Sequence, residues 1–295
     1  MEINGEEAID QAKKLIHTHS LLHSFDEYSR GYLFTTEYIG RYLDQLTFNK
    51  NRALTILSSG DHVFNLLFKG INEIDTFDIN RLNYFTFWLK KAFILNLSFR
   101  EFNSLSSCLS SDFLLERFYQ YLCRSKLDMP RLVFQFYEEL ISYEYSLDHQ
   151  HNGLKNLYFS THSSILQSNN YLRTKQNYLD LREKLKTLKL NMYFQDALSV
   201  PKLLEKEYDL ILLSNVSDYL GTEEQKLAIE AFQHYISLYY ELLAQDGVLV
   251  NYFYGYHFPY VIERSFISLS DLGKENVRKL SRGLFSEGYY YLRKD

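Results

Sequence analysis

A chain of 295 residues with 46% hydrophobic and 23% charged content is long enough to bury a substantial core without disulfide or metal staples. Its net charge of −5 argues against a surface built to neutralise nucleic-acid phosphates. Its cysteines, Cys108 and Cys123, give neither a disulfide framework nor metal-ligand spacing, which points to a reducing, cytoplasmic setting. The start MEINGEEAIDQAKK lacks a signal core, and no run approaches the roughly 20 apolar residues of a membrane span.

In chain order, Glu6 to His23 carries Ala8, Ala12, Leu15, Ile16 and Leu22 at helical spacing. His19 and His23 are helical neighbours, but no third ligand stands near them, so they read as surface residues. The stretch DEYSRGYLFTTEYIGRYLDQL follows, with Tyr32, Thr36 and Glu37 placed to cover a ligand, and with Thr35 or Thr36 placed to cap a helix to Leu46.

The next segment organises the chain. Ala53 to Leu57 reads as a strand, Ser58-Ser59-Gly60-Asp61 as a tight turn, His62 to Lys69 as a helix and Glu73 to Phe77 as a second strand ending in Asp78. This is a βαβ unit whose apolar strands suit a parallel sheet covered on both faces. Asp78 lies 18 residues after Gly60, close to the roughly 20-residue interval at which an acid meets ribose hydroxyls. The turn has one glycine where a dinucleotide fingerprint needs three, so a nucleoside ligand without phosphates fits better, and S-adenosyl-L-methionine is such a ligand. Ser58, Ser59 and Asp61 are equally good helix caps, and Asp78 could cap the helix that begins near Asn80.

A long helix, Arg81 to Leu97, follows, then an aromatic, helix-rich stretch with helices at Asp112 to Arg124 and Pro130 to Tyr145. After a helix from Tyr171 to Thr187, strands are expected at Leu190 to Phe194 and Tyr208 to Ser214, a helix at Thr222 to Leu243, a strand at Gly247 to Phe253, and a hairpin from Phe266 to Leu269 and Tyr289 to Leu292. The expected fold is α/β, a doubly wound Rossmann-like and mostly parallel sheet with N-terminal helices and an inserted helical lobe. The expected divisions are an N-terminal helical segment at residues 1–50, the Rossmann-like domain at 51–97 and 170–295, and the lobe at 98–169.

Asp196 and Ala197 stand at the end of the third strand, where the Asp196 carboxylate would accept from an adenine amine or cap a short helix. Ser214 and Asn215 follow the fourth strand at the centre of the sheet, and Asp218 and Tyr219 come just after. Asp218, Tyr219 and His257 are candidate bases for an acceptor that must lose a proton.

The combination LTILSSGDHVFNLL, IDTFDIN, YLFTTEYI, LSFREFNSL and YDLILLSNVSDYL resembles the class I S-adenosylmethionine-dependent transferases. More narrowly, it resembles the group around the bacterial betaine-lipid enzyme that moves a 3-amino-3-carboxypropyl group. The resemblance implies cofactor-binding roles for Ser58, Ser59, Gly60, Asp61, Asp78 and Asn80, and a small-molecule or lipid-like acceptor. Methyl transfer, and a non-catalytic binding protein that senses S-adenosylmethionine, are the alternatives. No metal is required for either transfer.

Overall fold

The computed structural model describes residues 3–17, 26–105, 112–147, 153–159, 169–205, 207–216, 229–254, 274–282 and 285–294. In chain order these form α1 (Gly5–His17), β1 (Gly31–Tyr32), α2 (Ile39–Gln45), β2 (Arg52–Ile56), α3 (Asp61–Phe68), β3 (Glu73–Asp78), α4 (Leu82–Asn96) and α5 (Phe99–Asn103). Then come α6 (Asp112–Arg124), α7 (Arg131–Ser146), β4 (Tyr158–Phe159), α8 (Lys175–Lys184), β5 (Lys189–Phe194), β6 (Tyr208–Leu212), α9 (Ile229–Tyr240), β7 (Leu243–Tyr254), β8 (Lys274–Arg282) and β9 (Phe285–Arg293). Two compact units are distinguishable: Met1–Gly40 with Leu57–Lys69 and Asp78–Leu188, and Arg41–Ile56 with Gly70–Phe77 and Lys189–Asp295.

The second unit holds a seven-stranded sheet in the order β5-β3-β2-β6-β7-β9-β8. β2 runs parallel to β3 and to β6, and β6 runs parallel to β7. β9 pairs antiparallel with both β7 and β8. The chain steps outward from β2 to β3 and β5, then returns to lay β6 on the other side of β2, which creates a topological switch point. The fold is therefore α/β, with a doubly wound, Rossmann-like and mostly parallel sheet. All five residues of β6 are buried, as a central strand covered on both faces requires. Leu54, Phe77, Ile211, Tyr235, Tyr239, Leu249 and Leu292 form the adjoining core. Asp75 is buried at the middle of β3, and its carboxylate accepts from the Tyr208 hydroxyl at 2.6 Å and from Asn191 Nδ2 at 2.5 Å.

In the first unit, α4 is buried nearly all round, through Leu82, Phe85, Phe87, Leu89, Ala92, Phe93 and Ile94, the pattern of a central helix. Phe85 stacks on Phe136 of α7 with ring centroids 4.0 Å apart. α1 buries Ala8, Ala12 and Ile16 and packs on α7. β1 and β4 form a short parallel pair in register Gly31↔Tyr158, which ties the N-terminal segment to the aromatic stretch. Hydrophobic periodicity does not reveal a pairing this short.

Several boundaries differ from expectation for local reasons. Thr35 Oγ1 accepts from Glu37 N at 3.2 Å, a local turn, so α2 starts only at Ile39. Thr174 caps α8 by accepting from Asn177 N at 3.1 Å, which divides the expected helix from Tyr171 to Thr187. Leu243 opens β7 instead of closing a helix. The first hairpin strand is KENVRKLSR, at Lys274–Arg282, a charged edge strand that an apolar criterion passes over. Phe266 to Leu269 lies outside the described residues, as do His19, His23 and Cys108. Among the described residues, no helix is long and apolar enough to cross a membrane.

Candidate functional site

β2 leads into Leu57, and Gly60 N–H donates back to Leu57 O at 2.7 Å, closing a tight turn. Ser58 has φ 44° and Gly60 has φ 80°. The left-handed conformation costs glycine little, but for Ser58 it is a strained choice of the kind that clusters at functional sites. The N–H groups of this turn are largely committed inside the protein. Ser58 N–H donates to Asp78 Oδ2 at 2.8 Å, and Asp61 N–H donates to Ser59 Oγ at 3.4 Å. A phosphate would have to displace these bonds, so the turn is not the free N–H cradle that phosphate-binding loops present.

Asp61, the first residue of α3, is fully buried. Its Oδ1 accepts from Lys90 Nζ at 2.6 Å and from the Tyr171 hydroxyl at 2.6 Å. Its Oδ2 accepts from Thr35 N at 2.6 Å and from Ser59 Oγ at 3.0 Å. Lys90 is also fully buried; it donates to Ser59 O at 2.8 Å and lies over the Phe34 ring, 4.6 Å from its centroid. Burial pushes the Lys90 ammonium below its usual range, and Asp61 partly restores it. Asp61 thus anchors the turn to α4 and to the segments around Thr35 and Tyr171.

Asp78 closes β3 and is buried. Besides Ser58 N–H it accepts from Asn80 N at 2.9 Å and from Asn83 Nδ2 at 2.8 Å. Burial raises its carboxyl to about 6, against the opposing pull of these hydrogen bonds. Asn83 Oδ1 is buried and has no hydrogen-bond partner, and a Cβ on Gly31 would stand 2.8 Å from it. An orphaned acceptor beside an acid, under a residue with no side chain, suits a ligand hydroxyl. Ile79, next in the chain, is 36% exposed, an apolar side chain open beside a buried acid. Asn80 makes a different set of bonds. Its Nδ2 donates to Ser29 O at 2.9 Å, and its Oδ1 accepts from Leu82 N at 3.0 Å and Ser29 N at 3.4 Å. It holds the N-terminal segment against the start of α4.

Tyr32 is half-buried against Phe159, with centroids 5.0 Å apart, and burial followed by the nearby Glu37 raises its hydroxyl above the ordinary value. Thr36 is half-buried. Glu37 is buried and pairs with His62 Nε2 at 3.3 Å. These residues, the turn, Asp78 and Asn80 all belong to the first unit.

In the second unit, Ser214 follows β6 with φ 55°, and its carbonyl accepts from Tyr252 N at 2.9 Å. Its hydroxyl donates to Asn215 Oδ1 at 3.2 Å. Asp196 Oδ1 accepts from Leu198 N at 2.9 Å and from Ser199 N at 3.1 Å, the capping role open to it in the sequence. Ala197 O accepts from the Tyr239 hydroxyl at 2.6 Å. Asp218, Tyr219 and His257 lie outside the described residues. Sequence reasoning passed over Lys90, Asn83, Ile79 and Tyr171. The available signal was Lys90 itself, a cation on the inward stripe of an apolar helix.

No family model matches the chain, and no curated protein matches it. Among solved structures, it is similar to an rRNA methyltransferase from Streptomyces viridochromogenes at 13% identity and TM-score 0.43, over 95% of this chain and 92% of that one. A putative class I S-adenosylmethionine-dependent methyltransferase from Listeria monocytogenes gives 11% and 0.42, over 99% and 70%. Magnesium protoporphyrin IX methyltransferase from Synechocystis PCC 6803, solved with bound S-adenosylmethionine, gives 9% and 0.38, over 86% and 74%. Likenesses this distant carry no argument about chemistry; the functional reading rests on the chain's own residues.

Proposed function

We propose that the protein is an S-adenosylmethionine-dependent transferase. The observation that carries this reading is Asp78, held at the end of β3 by Ser58 N–H and flanked by the unpartnered Asn83 Oδ1. Asp78 and Asn83 would accept from the ribose hydroxyls, and Ile79 would cover an apolar face of the nucleoside. The turn from Ser58 to Asp61 would receive the amino acid end, consistent with its lack of free phosphate donors. When bound, the cofactor supplies a carbon activated by a positive sulfonium. The protein's part is to align an acceptor with that carbon and to exclude water.

Within this class, transfer of a 3-amino-3-carboxypropyl group to a small-molecule or lipid-like acceptor is the reading that the Ser-Ser-Gly-Asp turn favours. Methyl transfer is the second, favoured by how commonly such a fold serves it, although the fold does not fix the function. The proton lost by the acceptor is assigned to Asp218, Tyr219 or His257. Calorimetric titration with S-adenosylmethionine tests the site, and absence of binding overturns the proposal. Mass spectrometry of the nucleoside left after incubation with cell extract then separates the two reactions. Methylthioadenosine marks aminocarboxypropyl transfer and S-adenosylhomocysteine marks methyl transfer, provided that neither forms in protein-free or Asp78→Ala controls.

A further inference from the structure

The Asp61–Lys90 pair raises a question that the cofactor reading leaves open. A carboxylate in the turn beside a sulfonium would attract the charged cofactor and repel nothing neutral, so it would bias the site toward the substrate and against a thioether product. Here the carboxylate does not act alone. Lys90 and Asp61 are each fully buried at 2.6 Å, and whichever of the two holds the proton, the pair carries no net charge. Lys90 also fixes the Ser59 carbonyl at 2.8 Å, and the ring of Phe34 screens it. Asn83 and Lys90 stand seven residues apart on α4, two helical turns along one face. One helix therefore orients the acid through Asn83 and neutralises the turn through Lys90.

We propose that Lys90 is a positioning and specificity residue that cancels the charge of Asp61, so that the turn does not distinguish the sulfonium cofactor from a neutral thioether carrying the same amino acid end. The inference rests on the cofactor reading above. Its chemical sense lies in turnover: when the carbon–sulfur bond breaks, the electron pair remains on sulfur and the carbon bonds to the acceptor. The positive charge on the ligand is lost, and a turn indifferent to that charge neither traps the substrate nor ejects the product early.

The test is calorimetric titration of the full chain with S-adenosylmethionine, S-adenosylhomocysteine and methylthioadenosine. The wild type should bind S-adenosylmethionine and S-adenosylhomocysteine, which share the amino acid end, within about threefold of one another, the thermal scale of energy, and methylthioadenosine, which lacks that end, more weakly. Lys90→Met, which leaves Asp61 uncompensated, should shift the ratio toward the sulfonium by about tenfold, the scale of one charge acting at moderate dielectric. Asp61→Asn should shift it the opposite way, and the double variant Asp61→Asn/Lys90→Met should return to the wild-type ratio. A loss of packing alone would weaken all three ligands together. The opposite shifts of the single variants are the signature, and either one suffices if the other variant does not fold. An unchanged ratio in a folded single variant, or a wild type that already prefers the sulfonium strongly, overturns the proposal. Failure of the wild type to bind any of the three ligands instead overturns the cofactor reading.

Discussion

The backbone N–H of Ser58 donates to the carboxylate of Asp78 at 2.8 Å, so the strained first residue of the turn and the acid that closes β3 hold each other in place. The acid does not wait free for a ligand. It already has donors, and a ligand must add to this set. Asn83, which donates to the same carboxylate oxygen, leaves its own oxygen for that purpose.

Asp78 makes ligand binding depend on pH. Its carboxyl sits at about 6 because burial disfavours the charge, and hydroxyl donors prefer the ionised form. Affinity for S-adenosylmethionine should be full above about pH 7 and fall as pH drops through 6. The free protein should show the opposite trend in stability: a carboxyl raised above its unfolded value makes the fold more stable as pH falls from about 6 toward 4, by at most about 3 kcal/mol. Calorimetry and urea unfolding across pH 4 to 8 would check both, and Asp78→Asn should flatten both curves. A wild-type affinity that is constant from pH 5 to 8 would contradict the assignment.

Gly60→Ala should destabilise the fold by about 1–3 kcal/mol. The alanine would have to keep a φ of 80°, and its Cβ would stand 2.9 Å from Phe87, whose ring stacks on Phe64 with centroids 5.3 Å apart. Equilibrium unfolding in urea measures the loss. A variant as stable as the wild type would mean that the turn is not left-handed in solution.

Tyr208→Phe removes one hydroxyl from the sheet. That hydroxyl donates to the buried Asp75 carboxylate at 2.6 Å, and without it the charge keeps Asn191 as a donor but loses its bond from β6. A loss of about 1–3 kcal/mol is expected, measured by equilibrium unfolding in urea. No such loss would occur if the hydroxyl pointed elsewhere.

The parts of the fold that were legible in the sequence are those written in short-range patterns. Leu54 and Ile211 lie in apolar runs of strand length, and the alternation of such runs with helical periods is enough to indicate a doubly wound sheet. The position of β8 was not legible, because an edge strand open to water carries charges that resemble a loop. The Asp61 cluster was hidden for another reason. Its members, Thr35, Asp61, Lys90 and Tyr171, are scattered along the chain, and a pattern read over a dozen residues sees Lys90 only as an anomaly in an aromatic helix. The place of Asp78 at the end of β3 was legible through its interval from Gly60, but its hydrogen bond from Asn83 was not, since that depends on which amide atom faces the acid.

The placement of β9 between β7 and β8 bears on synthesis. A nascent chain that has emerged only as far as β7 has no partner for that strand's outer edge, and the residue that fills the core beside it, Leu292, is still to come. Until β9 arrives, this edge is open to pairing with a neighbouring chain. β8 and β9 pair with each other as an antiparallel hairpin, so both reach the sheet as neighbours along the chain. Aggregation during expression should therefore fall once β9 covers that edge.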